Sequence, residues 1–343
     1  MHNIRKIGIR ILLIIVVVSL YQMLVEFVYR PYHEVVIQQN IERSQVEGTI
    51  ETLLCGTSTA QRGFDPEVID KELETVSFNM GTSLQPLDGT YHLIKEVAAS
   101  NPIETVFLTM APDTMRRKVV ASKYKGYVYD RMHNVGNKIE YLVDACDVEE
   151  WPYVTWYSTR VDNYFDFNVI KENVSTKLQP DYETGKYCDE FYRGKGLLSL
   201  DKSFKGKKNP KNKRTREFDS NSMVAENVEY LKKIAEYCKE NKIELIFVYA
   251  PLSRNEVIRY KDFNQVHNYF VALAEEFGVK FWDFNYYKDA DKLFSNETFQ
   301  DLKHLNVKGA KLFSEELAKV YNVYHNGQDE SELFTEDYAY NKE

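Results

Sequence analysis

Apolar residues fill nearly every position from Ile11 to Tyr29, broken only by Ser19, Gln22 and Glu26. A run apolar on all sides predicts a helix that crosses most of a bilayer, because a surface helix would keep one polar face. Beyond it the pattern changes to short unpunctuated apolar strands alternating with apolar stripes at helical spacing. Strands are predicted at 49–55, 76–79, 105–108, 243–250 and 279–284. Between and after them, Leu93, Ile94, Val97 and Ala98 mark one helix face, and Leu231, Ile234, Ala235 and Cys238 a second. Val266, Phe270, Leu273, Ala274 and Phe277 mark a third, which Gly278 should end; Ala310, Phe313, Leu317 and Val320 mark the last, with Asn306 as its candidate N-cap. Strands apolar on both sides need helices on both sides. The predicted fold class is therefore α/β, a three-layer sandwich around a mostly parallel sheet, preceded by one transmembrane helix.

This rhythm divides the chain into a leader and anchor at 1–30, a polar stalk at 31–48, an α/β body at 49–325, and an acidic, disordered tail at 326–343. Alternation fades at about 116–225, which reads as an insertion rich in Tyr, Trp and charge. Within it, 202–216 carries eight basic residues and reads as a solvated loop, with contact to anionic lipid heads or an anionic polymer as the alternative. Arg5, Lys6 and Arg10 precede the apolar run, and only Arg30 follows closely. That asymmetry predicts a cytoplasmic N-terminus, residues 11–29 in the cell membrane and an extracytoplasmic body. A cleaved signal peptide is the competing reading, although small residues of the A-x-A kind are missing at the expected place.

With 44 Lys+Arg against 52 Asp+Glu, the net charge of −8 argues against nucleic acid as the main partner. Cys55, Cys146, Cys188 and Cys238 are too scattered for a zinc site or disulfide scaffold, and no metal or cofactor is expected. Cys55 and Cys238 read as buried thiols, whereas Cys146 and Cys188 are a candidate pair in an exported body.

The first strand ends at Gly56-Thr57-Ser58, and strand ends of a parallel sheet are where reactive side chains can be presented. Serine needs a base. Of seven histidines, His2, His33 and His325 lie in leader, stalk and tail, and His92, His133 and His267 in helical or inserted segments. His304 alone stands in a polar loop between the last strand and last helix. Asp301, three residues earlier, can accept its Nδ1 proton and turn Nε2 toward Ser58, although D-x-x-H also serves as a plain turn. Asp283, at a strand end, is the rival acid. Arg62 and Gln85 lie just beyond the two loops as candidate substrate-binding residues.

These blocks resemble the SGNH, or GDSL-like, hydrolase superfamily over about 51–110 and 242–321. Gly56-Thr57-Ser58 is similar to its Gly-Asp-Ser block, Gly81 to its second-block glycine, and Asp301 with His304 to its D-x-x-H. Asn79-Met80-Gly81 and the run His304-Leu305-Asn306-Val307-Lys308-Gly309 look closer to membrane-anchored members that modify envelope polymers. Those include the D-alanine transfer protein of teichoic acid modification and the alginate acetylation proteins. The resemblance implies a flavodoxin-like sandwich with Ser58 as nucleophile, His304 as base, Asp301 as orienting acid, and an oxyanion hole from the Ser58 and Gly81 amides. It implies a membrane-anchored serine acyltransferase or esterase, a glycan or teichoic acid acceptor, and a multi-pass membrane O-acyltransferase as partner. The superfamily's third-block asparagine is absent from Leu108-Thr109-Met110-Ala111-Pro112. One lost donor costs about 3 kcal/mol of transition-state stabilisation unless Asn79 or Thr109 substitutes. That departure keeps a second reading open, a catalytically idle binding or assembly subunit of an envelope-modification complex.

Overall fold

The computed structural model describes residues 2–205 and 216–338. Its strands are β1 (Thr52–Cys55), β2 (Ser77–Asn79), β3 (Thr105–Thr109), β4 (Tyr192–Gly194), β5 (Leu197–Leu198), β6 (Glu244–Tyr249) and β7 (Lys280–Asp283). Five of them form one parallel sheet in the order β2-β1-β3-β6-β7, and β4 pairs with β5 as a small antiparallel ribbon. Side chains alternate along each strand, so the sheet feeds two cores. Leu53, Val106, Leu108 and Phe247 pack on one face beneath the helices Leu87–Ala98, Ala225–Glu240 and Asn264–Phe277. Leu54, Phe107, Ile246 and Trp282 pack on the other, against the helices Pro66–Leu73 and Val307–His325. The chain is thus an α/β fold with helices on both faces of a parallel sheet.

The order reverses at β1: the chain runs from β1 outward to β2, then crosses back to β3. Connections after β1 and β3 leave in opposite directions and open a crevice at the strands' carboxyl ends, where ligands bind in such sheets.

The N-terminal helix, His2–Tyr29, matches the apolar run, and its segment Arg5–Tyr29 is long and apolar enough to cross a membrane. Several other expectations are corrected. The stalk is a docked helix, Val35–Gln45, because Gln39 Nε2 donates to the Asn79 carbonyl at 2.8 Å and Arg43 donates to the Arg131 carbonyl at 2.8 Å. The insertion carries short helices at Ser122–Tyr129, Val135–Ala145, Trp151–Thr155 and Phe167–Lys177. Tyr141, fully buried, joins Val135–Ala145 to the first core. The tail is ordered as far as Tyr338: Phe334 packs against Phe284 and Tyr287, and Tyr338 against Phe263. All four cysteines are free thiols, so Cys146 and Cys188 are not bridged. Of the basic loop, 206–215 lie outside the described residues, as do 339–343 of the tail.

Candidate active site

Gly56 makes the turn that presents Ser58. Its φ is +133°, and a Cβ there would lie 2.0 Å from Thr109 Oγ1, so a side chain is excluded twice over. The chain then enters a short helix, Ser58–Gly63, with Ser58 in its first turn. No partner is found among the described residues for the amides of Ser58 and Thr59, as the first turn of a helix requires.

The second half of the site comes from the loop before Val307–His325. Asp301 Oδ1 accepts the backbone N–H groups of Lys303 and His304, both at 2.9 Å, closing a local turn. Leu305 is buried beside Phe313, and Asn306 caps the last helix by accepting from the Gly309 amide at 3.0 Å. A Cβ at Gly309 would lie 2.0 Å from the Thr298 carbonyl oxygen. His304-Leu305-Asn306-Val307-Lys308-Gly309 is therefore an anchor, a cap and a close approach that together fix the direction of the imidazole. Backbone and side-chain bonds from Ser253 to the Leu302 carbonyl tie the loop to the end of β6.

These pieces meet. Ser58 Oγ lies 2.7 Å from His304 Nε2, and His304 Nδ1 lies 2.8 Å from Asp301 Oδ2. Burial pushes the Asp301 carboxyl up, but hydrogen bonds from the His304 ring and the two amides outweigh it and draw the group down to about 2. Asp301 is thus an anion throughout neutral pH. The arrangement holds an imidazole by a carboxylate on one side and a hydroxyl on the other, the geometry that proton removal from that hydroxyl requires.

The remaining candidates fall elsewhere. Gly81 N–H donates to Asn79 Oδ1 at 2.9 Å, and Asn79 Nδ2 donates to the carbonyls of Ala60 and Phe64 at 2.8 and 3.0 Å. Both groups brace the Ser58–Gly63 helix against β2, so neither is a free oxyanion donor in this structure. The Thr109 hydroxyl, 2% exposed, accepts from Thr59 Oγ1 at 3.2 Å. The Thr59 amide, open beside that of Ser58 among the described residues, was not among the predicted donors. Gln85 is buried and donates to Thr90 Oγ1 at 2.9 Å, away from the serine. Arg62 lies near Asp301, whose charge acts on it, and not in the cleft over Ser58. Asp283 accepts from His267 Nδ1 at 2.9 Å, and so belongs to another histidine.

A cleft of about 240 Å³ opens over Ser58 and His304 at the β1–β3 crevice, lined also by Leu84, Pro112, Arg117 and Tyr260. Lys303 in its wall is paired with Asp113 and lies 3.7 Å from Glu256. The Asp113 charge also acts on Arg117, whose Nη1 is buried with no hydrogen-bond partner among the described residues. No group of three or more metal-ligating side chains occurs among the described residues.

Comparisons with known proteins add little to this geometry. A family model that carries no description matches residues 202–323. No curated protein matches the chain. Among solved structures, an acetyl xylan esterase (Est2A) from the rumen bacterium Butyrivibrio proteoclasticus is similar at 10% identity and a TM-score of 0.33. The match covers 82% of this chain, which spans 65% of that one.

Proposed function

We propose that this chain is a membrane-anchored, extracytoplasmic serine acyltransferase or esterase that acts on cell-envelope polymers. The hydrogen-bonded row Ser58, His304, Asp301 carries the reading. In the first half-reaction Ser58 Oγ attacks an acyl carbonyl carbon while its proton passes to His304 Nε2. The Asp301 carboxylate stabilises the imidazolium, and the amides of Ser58 and Thr59 face the oxyanion. The intermediate collapses by breaking the bond to the donor's leaving group, which takes the proton from His304. A polymer hydroxyl, or water in an esterase, then gives its proton to His304 and attacks the acyl-serine, and Ser58 is regenerated.

An N-terminal apolar helix supports action beside a membrane; the teichoic acid or glycan acceptor, and a multi-pass membrane O-acyltransferase supplying the acyl group, rest on the sequence resemblance. Arg117 supports an anionic group on the acceptor, such as the phosphodiester of a teichoic acid. A second reading, an idle subunit of an envelope-modification complex, is favoured by one observation: the Gly81 amide is engaged by Asn79.

Labelling the full chain with a fluorophosphonate probe separates the two. Native protein should label, and Ser58→Ala and His304→Ala should not. Absence of Ser58-dependent labelling in membranes that contain the natural partners would sink the enzyme reading.

A further inference from the structure

The insertion grips the last turns of the N-terminal helix. Gln22 Nε2 donates to Ser158 Oγ at 2.9 Å, and the Ser158 amide donates back to Gln22 Oε1 at 3.2 Å. Tyr29 donates to the Tyr164 carbonyl at 3.1 Å, with their rings 4.9 Å apart edge to face. Asn173 Nδ2 reaches the carbonyls of Val28 and Tyr29 at 3.2 and 3.3 Å, and Lys177 Nζ those of Phe27 and Arg30 at 2.7 and 2.5 Å. Residues 156–178 therefore form a partial collar at the exit of the helix, which leaves Met23 66% and Leu24 60% exposed.

Length places that collar. A hydrocarbon core of about 30 Å takes about 20 residues of helix. Any such window that leaves Lys6 outside starts at Ile7 or later and so ends at Glu26 or later. Gln22 then lies about 6 Å or more inside the boundary. An amide at that depth needs its hydrogen bonds met by protein, and Ser158 meets both ends of it. The collar's outward side chains match such surroundings: Phe165 is 80% exposed, Phe167 73%, Leu178 68% and Trp156 44%. Three basic residues, Arg160, Lys171 and Lys177, balance three acidic ones, Asp162, Asp166 and Glu172, so attraction to charged lipid is not what holds it.

We propose that residues 156–178 are a second membrane element, seated in the headgroup and outer acyl layer around the N-terminal helix, which fixes the height and tilt of the catalytic body. This rests on reading residues 11–29 as a membrane span. Its occupant is lipid, because the collar is continuous with the span and carries exposed aromatic side chains where membrane proteins keep them.

The test is photo-crosslinking of the full chain in phosphatidylcholine vesicles, with p-benzoyl-phenylalanine placed singly at Phe165, Phe167, Ile15 or Lys319. Mass spectrometry should find lipid adducts at Phe165, Phe167 and Ile15, at least fivefold above Lys319, and unchanged between low and high salt. Adducts at Ile15 with none at Phe165 or Phe167 would overturn the collar while leaving the anchor intact. No adduct at Ile15 would remove the span and the collar with it. Adducts only to another protein in native membranes, with none to lipid in vesicles, would assign the surface to a partner and refute the lipid seat.

Discussion

Replacing Asp301 by Asn tests the site at the point where geometry and charge can be told apart. In the native chain Oδ1 accepts two backbone amides and Oδ2 accepts the His304 Nδ1 proton at 2.8 Å. Asparagine can keep the first role, with its carbonyl oxygen in place of Oδ1. It then turns an NH2 donor toward Nδ1, which stabilises the tautomer with its proton on Nε2, and that nitrogen can no longer take the Ser58 proton. Turnover should fall by about ten-thousandfold, the scale expected when a triad's imidazole is held in the wrong tautomer. Stability should change little. A carboxyl drawn from 3.8 to about 2 corresponds to about 2.4 kcal/mol if unscreened, and its half-exposed position reduces this to about 1 kcal/mol. The sign follows from the lowered folded pKa: the contribution is full above about pH 4 and is lost as pH falls toward 2. The melting temperatures of native and Asp301→Asn protein should therefore differ by about 2 °C at neutral pH and converge in acid. Hydrolysis of a p-nitrophenyl ester and thermal melts measure the two effects. Asp301→Asn activity within threefold of native, in a protein where Ser58→Ala is dead, would refute the role given to Asp301.

Three further outcomes follow from the packing. Leu305→Ala should cost about 2–5 kcal/mol by opening a cavity beside Phe313, and should slow fluorophosphonate labelling more than a surface substitution such as Lys311→Ala does. Asp130→Asn leaves Arg30 and Arg160, which approach that carboxylate at 2.8 and 2.6 Å, without their shared anion. It should lower stability by about 2–4 kcal/mol in denaturant melts of the full chain in detergent, with Glu47→Gln as a near-neutral control. Burial pushes the thiols of Cys146, Cys188 and Cys238 up to about 12, so native protein at pH 8 should alkylate slowly and four thiols should appear on unfolding without reductant. Recovery of two thiols would mean that a disulfide forms.

Much of the site was legible because its parts are local. The Asp301 turn closes within four residues, Asn306 caps the helix it precedes, and Ser58 follows its strand directly; each is set by bonds between near neighbours in sequence. The insertion was less legible, because Val135, Ile139 and Val143 form a helical stripe that faces outward instead of into a core. The collar was hidden for a similar reason: Ser158 and Asn173 look like ordinary polar residues until the helix they satisfy lies beside them.

From the sequence alone came the strand–helix alternation, the two-faced burial of the sheet and the long apolar N-terminal helix, since these depend on side-chain periodicity and length. Only the tertiary structure brought Ser58 within 2.7 Å of a histidine 246 positions away, through a strand order that sets β1 beside β3 at the crevice. It also decided which donors are free. The Gly81 amide is taken by Asn79, while the amides at the start of the Ser58 helix are not, because a helix cannot satisfy its own first turn.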